Sequence, residues 1–253
     1  MTVGLDELMA ALTRELRPEQ FKDYCPNGLQ VQGRDRVERL VTGVTACQAL
    51  IDAAIEQQAD AILVHHGYFW RGEDAALTGI KRQRIKTLMA HDISLIAYHL
   101  PLDAHPELGN NVQLAKLLGL TPGDALSRQN NHDMGLVAQL PEPVSGADFA
   151  ALLTDRLHRK PLHIAGTDAP ITRVAWCTGA AQGYIEKAVA AGADAYVSGE
   201  ISEPTVHSAR EHGIHYFAAG HHATERYGVQ ALGKLIAQRF DLQHQFIDID
   251  NPV

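Results

Sequence analysis

Two stretches of the sequence repeat the same order of strand and helix signals, and this repeat constrains the fold more than any other feature. Val41–Gly67 and Val174–Glu200 each run from an apolar strand through a turn and a helix to Ala-Asp-Ala and a second strand. Aligning the two tripeptides places His66 opposite Glu200. Strands that alternate with helices favour a sheet covered by helices on both faces. The repeat therefore predicts an α/β chain of two related halves with mixed or parallel sheets.

Hydrophobic periodicity predicts the individual elements. Strands are expected at Arg39–Ala46, Ala61–Val64 and Ile93–Leu100, and helices at Gln48–Gln58, Ile80–Ala90 and Asn111–Leu120. Between residues 121 and 169 the sequence is richer in turns, with a strand over Met134–Leu140 and a helix over Gly146–His158. We therefore predict a first half over residues 1–124, an intervening segment over 125–169 and a second half over 170–253.

Composition excludes several classes of protein. The 253 residues are 45% hydrophobic, which permits a sizeable core, but no apolar run reaches the roughly 20 residues of a membrane span. The N-terminal residues predict an amphipathic helix rather than a signal peptide. Three widely separated cysteines predict a reducing, cytoplasmic location without a disulfide framework. The net charge of −8 argues against a duplex DNA-binding protein.

Side chains that can bind metals follow four of the predicted strands. Neighbouring strand residues point to opposite faces, so we expect the chain to leave its strand at His65-His66 and turn both rings to one place. In open α/β sheets, ligands bind beyond the carboxyl ends of the strands. The residues at these ends are His65, His66, Asp103, Glu200, His221, His222 and Glu225. The chain has 14 histidines in all. Because side chains that can bind metals occur at all four of these strand ends, we predict one metal site between the halves.

Several assignments stay open on the residues alone. Glu225 lies four residues after His221 and three after His222, so helical spacing does not choose between these histidines. An ordinary salt bridge explains Glu200 better than a proton shuttle does, and a structural turn explains Cys25–Gln30 better than a role in lining the site. Ordinary structural or surface roles are expected for His99, His105, His132, His158, His163, His207, His212 and His215.

Five motifs then resemble one known family. The segments DYCPNGLQVQG, VHHGYFW, HLPLDAHPELGNN, SGEIS and GHHATER are similar to those of the Nif-three-like family of dinuclear-metal proteins, whose members are commonly labelled GTP cyclohydrolase I type 2 homologues. The resemblance runs nearly end to end, with the middle segment matched least. It implies a toroidal homohexamer whose subunits each hold a two-metal centre facing the interior cavity. It also implies the ligands His65, His66, Asp103, His221 and Glu225, and so selects His221 over His222.

This ligand set implies a metal-dependent hydrolase. Three imidazoles and two carboxylates suit two divalent ions of Fe, Mn, Zn or Ni, with water in the remaining positions. A bridging water acidified by two metals would attack a small, nucleotide-like substrate. The family label points to ring opening of GTP, although the chain has no GxxxxGK[ST] phosphate loop. No catalytic residue beyond the ligands is assigned.

Two alternatives remain. The first is a non-catalytic, metal-binding ring that serves as a scaffold, for instance in a stress or DNA-damage response. The second is binding of single-stranded nucleic acid inside the ring, for which Arg82, Arg84 and Lys86 would supply positive charge. A solvated helix face explains these three residues better.

Overall fold

The computed structural model describes residues 1–129 and 132–253, which form two compact units. Unit 1 comprises Met1–Leu108 and Gly228–Asp250, and unit 2 comprises Gly109–Tyr227 and Asn251–Val253. The helices are α1 (Leu5–Leu16), α2 (Gln48–Glu56), α3 (Gly79–Ala90), α4 (Leu100–Asp103), α5 (Asn110–Leu118), α6 (Gly146–Leu157), α7 (Ile185–Ala190), α8 (Glu203–His212) and α9 (His221–Phe240), with short 3-10 segments at Pro18–Gln20 and Gln182–Tyr184. The strands are β1 (Val3–Gly4), β2 (Gly28–Val31), β3 (Arg36–Val37), β4 (Arg39–Thr45), β5 (Ala61–His66), β6 (Ser94–Ala97), β7 (Ala125–Gln129), β8 (His132–Val144), β9 (Leu162–Ile164), β10 (Ile171–Cys177), β11 (Ala195–Ser198), β12 (His215–Ala218) and β13 (Gln243–Phe246).

Unit 1 is built on a five-stranded sheet in the order β13-β4-β5-β6-β2. Its first four strands are parallel, and β2 closes one edge antiparallel to β6. Successive residues of β5 pack on opposite faces: Leu63 joins a core with Leu8 of α1, whereas Ile62 joins a core with Leu50 and Ile85 of α2 and α3. Burial on both faces explains why β5 has a continuous apolar run instead of an alternating one.

Unit 2 is built on a six-stranded mixed sheet in the order β7-β8-β10-β11-β12-β9. Strands β10, β11 and β12 are parallel, and the remaining neighbours pair antiparallel. Trp176 of β10 packs with Phe149 of α6 on one face, whereas Ala175 packs with Ile185 and Ala209 of α7 and α8 on the other. The predicted α/β class with mixed or parallel sheets is confirmed.

The sequence repeat corresponds to a repeated hydrogen-bonding arrangement. Asp60 precedes β5, and its Oδ2 accepts from the backbone N–H of Arg39 at 2.9 Å and from that of the preceding residue at 2.8 Å. Asp194 precedes β11, and its Oδ2 accepts from the N–H of Arg173 at 2.9 Å and from that of the preceding residue at 2.8 Å. Each aspartate thus ties the start of one parallel strand to the start of its neighbour.

The carboxyl ends of β5 and β6 differ from the prediction. β5 continues through His66, which pairs with Thr45, so the expectation that the chain leaves the strand at the histidine pair was wrong. β6 ends at Ala97, three residues before the predicted end. Its predicted last residue, Leu100, instead begins α4, in which Pro101 occupies one of the first two helical positions. Proline favours the start of a helix because it has no N–H to leave unpaired there.

The division into units also differs from the predicted boundaries. Residues 125–169 contribute β7, β8, β9 and α6 to unit 2 instead of standing as a separate segment. The chain passes from unit 2 back to unit 1 within α9, between Tyr227 and Gly228. β7 and β8 pair with each other, whereas β8 and β9 also pair with β10 and β12 further along the chain, and local sequence signals do not show these later pairings.

Among the described residues, no helix is both long enough and apolar enough to cross a membrane.

Candidate metal centre

In unit 1, His65 has its ring orientation fixed by the backbone. The side chain is fully buried, and its Nδ1 lies 2.9 Å from the carbonyl oxygen of Tyr98. A carbonyl only accepts hydrogen bonds, so Nδ1 carries the proton and Nε2 is the metal-competent nitrogen of the neutral ring. That Nε2 lies 3.4 Å from Oδ1 of Asp103.

His66 lies beside His65 although the two are neighbours in one strand. Their ring centroids are 4.6 Å apart, with 47° between the ring planes. The Nδ1 of His66 is 3.1 Å from Oγ1 of Thr45 on the adjacent strand. Unit 1 therefore brings together His65, His66 and Asp103, as the predicted ligand set requires.

Asp103 reaches this position because α4 begins directly after β6. Asp23 Oδ2 accepts from the N–H of Leu100 at 2.9 Å and so caps the helix. The Asp103 N–H donates to the carbonyl of His99 at 3.1 Å. Asp103 is only 8% exposed, and a carboxylate so far from water requires a positive partner nearby.

In unit 2, His221 and Glu225 lie one helical turn apart at the start of α9, directly after β12. The His221 Nε2 is 3.1 Å from Glu225 Oε2, and its Nδ1 is 2.8 Å from Glu200 Oε1. Glu225 is 3% exposed. Gly220, with φ of +99°, makes the turn from strand to helix in a conformation that favours glycine. For His222, the backbone N–H donates to the Val253 carbonyl at 3.0 Å.

The two carboxylates control the charge of His221. Burial alone would lower its pKa, but hydrogen bonds and charge from Glu225 and then Glu200 outweigh burial and raise the pKa to about 9. At neutral pH the metal-free ring therefore carries an extra proton. Binding of a metal ion at Nε2 would release that proton.

Both histidine–carboxylate pairs fit the spacing of ligands around one ion. With metal–nitrogen and metal–oxygen distances of about 2.1 Å, cis ligands lie about 3.0 Å apart in octahedral and 3.4 Å apart in tetrahedral geometry. The observed separations are 3.4 Å in unit 1 and 3.1 Å in unit 2. Each Nε2 faces a carboxylate oxygen, which is favourable only when a cation, a proton or a metal ion, lies between them. The donor set therefore suits a borderline divalent metal.

Comparison with known proteins identifies the family. The family model Duf34/NIF3 (NGG1p interacting factor 3) matches residues 3–252. The chain belongs to this family. A Pseudomonas aeruginosa relative named GTP cyclohydrolase 1 type 2 homolog is 57% identical over 252 residues, covering 100% of both chains. An Escherichia coli K12 relative of the same name is 50% identical over 247 residues, covering 97% of this chain and 98% of its own.

Solved structures of Duf34/NIF3 relatives have the same fold. The structure of the protein YbgI, described as of unknown function, matches with a TM-score of 0.94 at 49% identity and covers 99% of this chain and 100% of its own. A Thermus thermophilus protein matches with a TM-score of 0.87 at 33% identity, covering the same shares of the two chains.

Sequence reasoning missed two residues of the cluster in this Duf34/NIF3 chain. His99 was expected to have an ordinary role, yet its ring centroid lies 5.1 Å from that of His65 and 5.8 Å from that of His66. Asp23 was not considered, although its Oδ1 lies 2.7 Å from His99 Nδ1. His99 follows the end of β6, so the strand-end rule already used for Asp103 would have found it. The salt bridge expected of Glu200 is present, and it is made with His221.

Proposed function

We propose that this chain is a metal-dependent hydrolase that holds two divalent ions per subunit through His65, His66, Asp103, His221 and Glu225. One observation carries the proposal. In each unit a nearly buried carboxylate faces the Nε2 of a histidine whose Nδ1 already has an acceptor: the Tyr98 carbonyl in unit 1 and Glu200 in unit 2. An outer hydrogen bond of this kind fixes the tautomer and the orientation of a metal-binding histidine.

The proposal places all five side chains on one pair of ions. Unit 1 contributes two imidazoles and one carboxylate, and unit 2 contributes one imidazole and one carboxylate. Such a set leaves coordination positions for water and substrate. Two bound metals about 3.5–4 Å apart would supply an acidified water nucleophile and would polarise the bond under attack. The chain's own part is to orient the imidazoles through the acceptors at Nδ1 and to exclude bulk water from the buried carboxylates.

Side chains near the unit 1 cluster support a nucleotide-like substrate. Tyr24 is 52% exposed, and its ring centroid lies 6.2 Å from that of His99. The Arg71 guanidinium carbon lies 5.8 Å from the Tyr24 ring centroid. Trp70 meets His99 edge-on at a centroid distance of 5.0 Å. An exposed ring with a nearby cation suits a planar heterocycle that carries a negative charge.

Metal analysis followed by a substrate screen tests the proposal. The protein is purified without added metal, its bound metals are counted, and it is screened with that metal against cyclic amides, phosphate esters and nucleotides, including GTP. For any substrate found, Asp103→Asn should lower turnover about 100-fold or more, because a misplaced catalytic group costs that much. The control is Asp52→Asn, since Asp52 is exposed on α2 and accepts a hydrogen bond from Gln48 of the same helix.

Two outcomes would oppose the proposal. A protein that binds fewer than two ions refutes the dinuclear centre. A protein that binds two ions and turns over none of these classes, or whose turnover survives Asp103→Asn, favours the metal-binding scaffold instead. We also propose the toroidal homohexamer implied by the family resemblance, which light scattering on the purified protein tests.

A further inference from the structure

We propose that Asn251–Val253, which we call the strap, caps the start of α9, and that Arg159 holds the strap in this position. The capped turn carries His221 and Glu225, so the strap is a positioning element for these two side chains. Its effect on metal binding rests on the proposed function, whereas the capping itself does not. All of these residues belong to unit 2.

The start of α9 has no capping side chain of its own. An α-helix begins with N–H groups that have no partner inside the helix, and the side chain of the preceding residue commonly accepts from the second or third of them. The residue before α9 is Gly220, which has no side chain. Its φ of +99° opposes a serine or aspartate at this position, and a Cβ atom added there would lie 2.7 Å from Cδ of Arg159. The capping acceptor therefore has to come from another part of the chain or from water.

The strap supplies this acceptor through its main chain. The His222 N–H, the second of α9, donates to the Val253 carbonyl at 3.0 Å. The Val253 N–H in turn donates to Oδ1 of Asn251 at 2.9 Å, which closes the strap into a turn. All three strap residues are exposed, so hydrophobic burial contributes little and hydrogen bonds hold the strap on the helix.

Arg159 connects the strap to the turn that precedes α9. Its Nη1 donates to the Pro252 carbonyl. The rest of its side chain fills the space beside Gly220, since a Cβ atom added to this glycine would lie 2.5 Å from Nε of Arg159. One guanidinium thus contacts both the strap and the glycine turn, which places the strap at the first turn of α9.

The end of α6 fixes the position of Arg159. The helix ends at Leu157, and His158 follows in the left-handed conformation with φ of +52°. Arg159 is the next residue. The Leu157 carbonyl accepts from Nη2 of Arg226 in α9 at 2.7 Å, so the end of α6 is itself joined to α9. The strap is therefore held by a side chain whose own backbone is tied to the helix that it caps.

The cap matters for the candidate metal centre because of the residues in the turn. His221 is the first residue of α9, and Glu225 lies one turn later, so their 3.1 Å contact exists only while this turn is helical. Helix ends open more readily than helix centres. An acceptor at the His222 N–H opposes this opening, and it should therefore keep the imidazole and the carboxylate in the arrangement that one ion requires.

Amide exchange in the metal-free protein tests the capping. A chain that stops after Asp250 loses the strap and should exchange the His222 N–H about 2- to 30-fold faster than the full-length chain, the equivalent of a lost helix cap. Hydrogen–deuterium exchange resolved to this residue measures the rate. Urea unfolding of the shortened chain establishes that it is folded.

Substitutions of Arg159 test the same point in the full-length chain. Arg159→Leu removes the donor to the Pro252 carbonyl and should also speed exchange of the His222 N–H. Arg159→Lys keeps a donor and should restore slow exchange in part. The matched control Arg156→Leu should change nothing, because Arg156 is exposed on α6 and its Nε lies 3.7 Å from the neighbouring Asp155. These variants carry the test if the shortened chain fails to fold.

Cobalt affinity tests the positioning role. The shortened chain and Arg159→Leu should bind Co²⁺ more weakly than the full-length protein, by a factor within the same range of about 2 to 30. Arg159→Lys should recover part of this loss, whereas Arg156→Leu should keep full affinity. A cap that only stabilised the helix would leave the affinity unchanged.

The outcomes separate this inference from the proposed function. Equal His222 exchange with and without the strap refutes the capping. Faster exchange with unchanged Co²⁺ affinity refutes the positioning role. A full-length protein that binds no Co²⁺ refutes the metal centre, and the exchange rates of the metal-free variants still decide whether the strap caps α9.

Discussion

Replacement of Gly179 tests whether the backbone beside Glu225 holds that carboxylate in place. Gly179 follows β10 with φ of +69°. A Cβ atom added there would overlap Glu225 Oε1 and lie 3.1 Å from His221 Nε2. The backbone has little room to retreat, because the Gly179 carbonyl accepts from the N–H groups of Gly199 at 2.9 Å and Glu200 at 3.2 Å. Gly179→Ala should therefore displace the Glu225 carboxylate.

The expected magnitude follows from the overlap. To restore ordinary contact, Glu225 Oε1 must move by about 1 Å, whereas metal–ligand distances tolerate about 0.2 Å. We expect the metal affinity to fall at least about 10-fold, the lower limit for loss of a supporting contact at a metal site. The left-handed conformation of alanine should separately lower the free energy of unfolding by about 1–2 kcal/mol.

Gly192 provides a matched control for the backbone effect. It also has φ of +69°, but a Cβ atom there would meet nothing within 4 Å. Gly192→Ala should therefore lose only the about 1–2 kcal/mol that the backbone conformation costs and keep full metal affinity. Chelator competition measures the affinity, and urea unfolding of the metal-free proteins measures the stability. Equal metal affinity in the two variants would refute the argument that Gly179 leaves the space that Glu225 occupies.

Three further predictions concern stability. Asp60→Ala and Asp194→Ala should each lower the free energy of unfolding by about 1–3 kcal/mol in urea titrations, since each leaves backbone N–H groups without an acceptor; a loss below about 0.5 kcal/mol in both would contradict this. Burial and the neighbouring His215 lower the pKa of His163 in the folded chain. Its contribution to stability is therefore complete above its unfolded pKa of about 6.5 and is lost as the pH falls below it, so His163→Gln should flatten the fall of the melting temperature between pH 7 and pH 5. A chelator should lower the melting temperature of metal-loaded protein by an amount that corresponds to about 3 kcal/mol at 100-fold saturation, and should have a much smaller effect on Asp103→Ala.

The regular elements could be predicted because their signals are local. Hydrophobic spacing placed α2, α3 and α6 within one or two residues of their observed bounds. Strand ends were less predictable: the end of β6 depends on Asp23, which caps α4 by accepting from the Leu100 N–H across 77 residues of sequence. Because Asp23 lies far from β6 in the sequence, it does not affect the hydrophobic periodicity from which the end of β6 was predicted.

The histidine pair shows a second limit of local reasoning. Alternation along a strand predicts that His65 and His66 diverge, and the rings nevertheless lie 4.6 Å apart in a continuous strand. Contacts with Oγ1 of Thr45 and with the Tyr98 carbonyl hold the two rings in this orientation. The sequence places the histidine pair at the carboxyl end of a strand, but the orientation of each ring depends on atoms from elsewhere in unit 1.

The internal repeat explains why the residues that fix the strand register lie at the amino ends of the strands, whereas the candidate metal-binding residues lie at the carboxyl ends. Asp60 and Asp194 perform one task at equivalent positions, each accepting from two N–H groups where its neighbouring strand begins. With the register fixed at the amino ends, the residues at the carboxyl ends can differ without loss of the sheet. They do differ: His66 corresponds to Glu200 in the alignment of the two stretches. The first half thus has an imidazole at this position. The second half has a carboxylate, Glu200, which forms a hydrogen bond with Nδ1 of His221. A repeated α/β scaffold can in this way supply two different sets of donors, one with more imidazole and one with more carboxylate, which suits the metal-binding role proposed above.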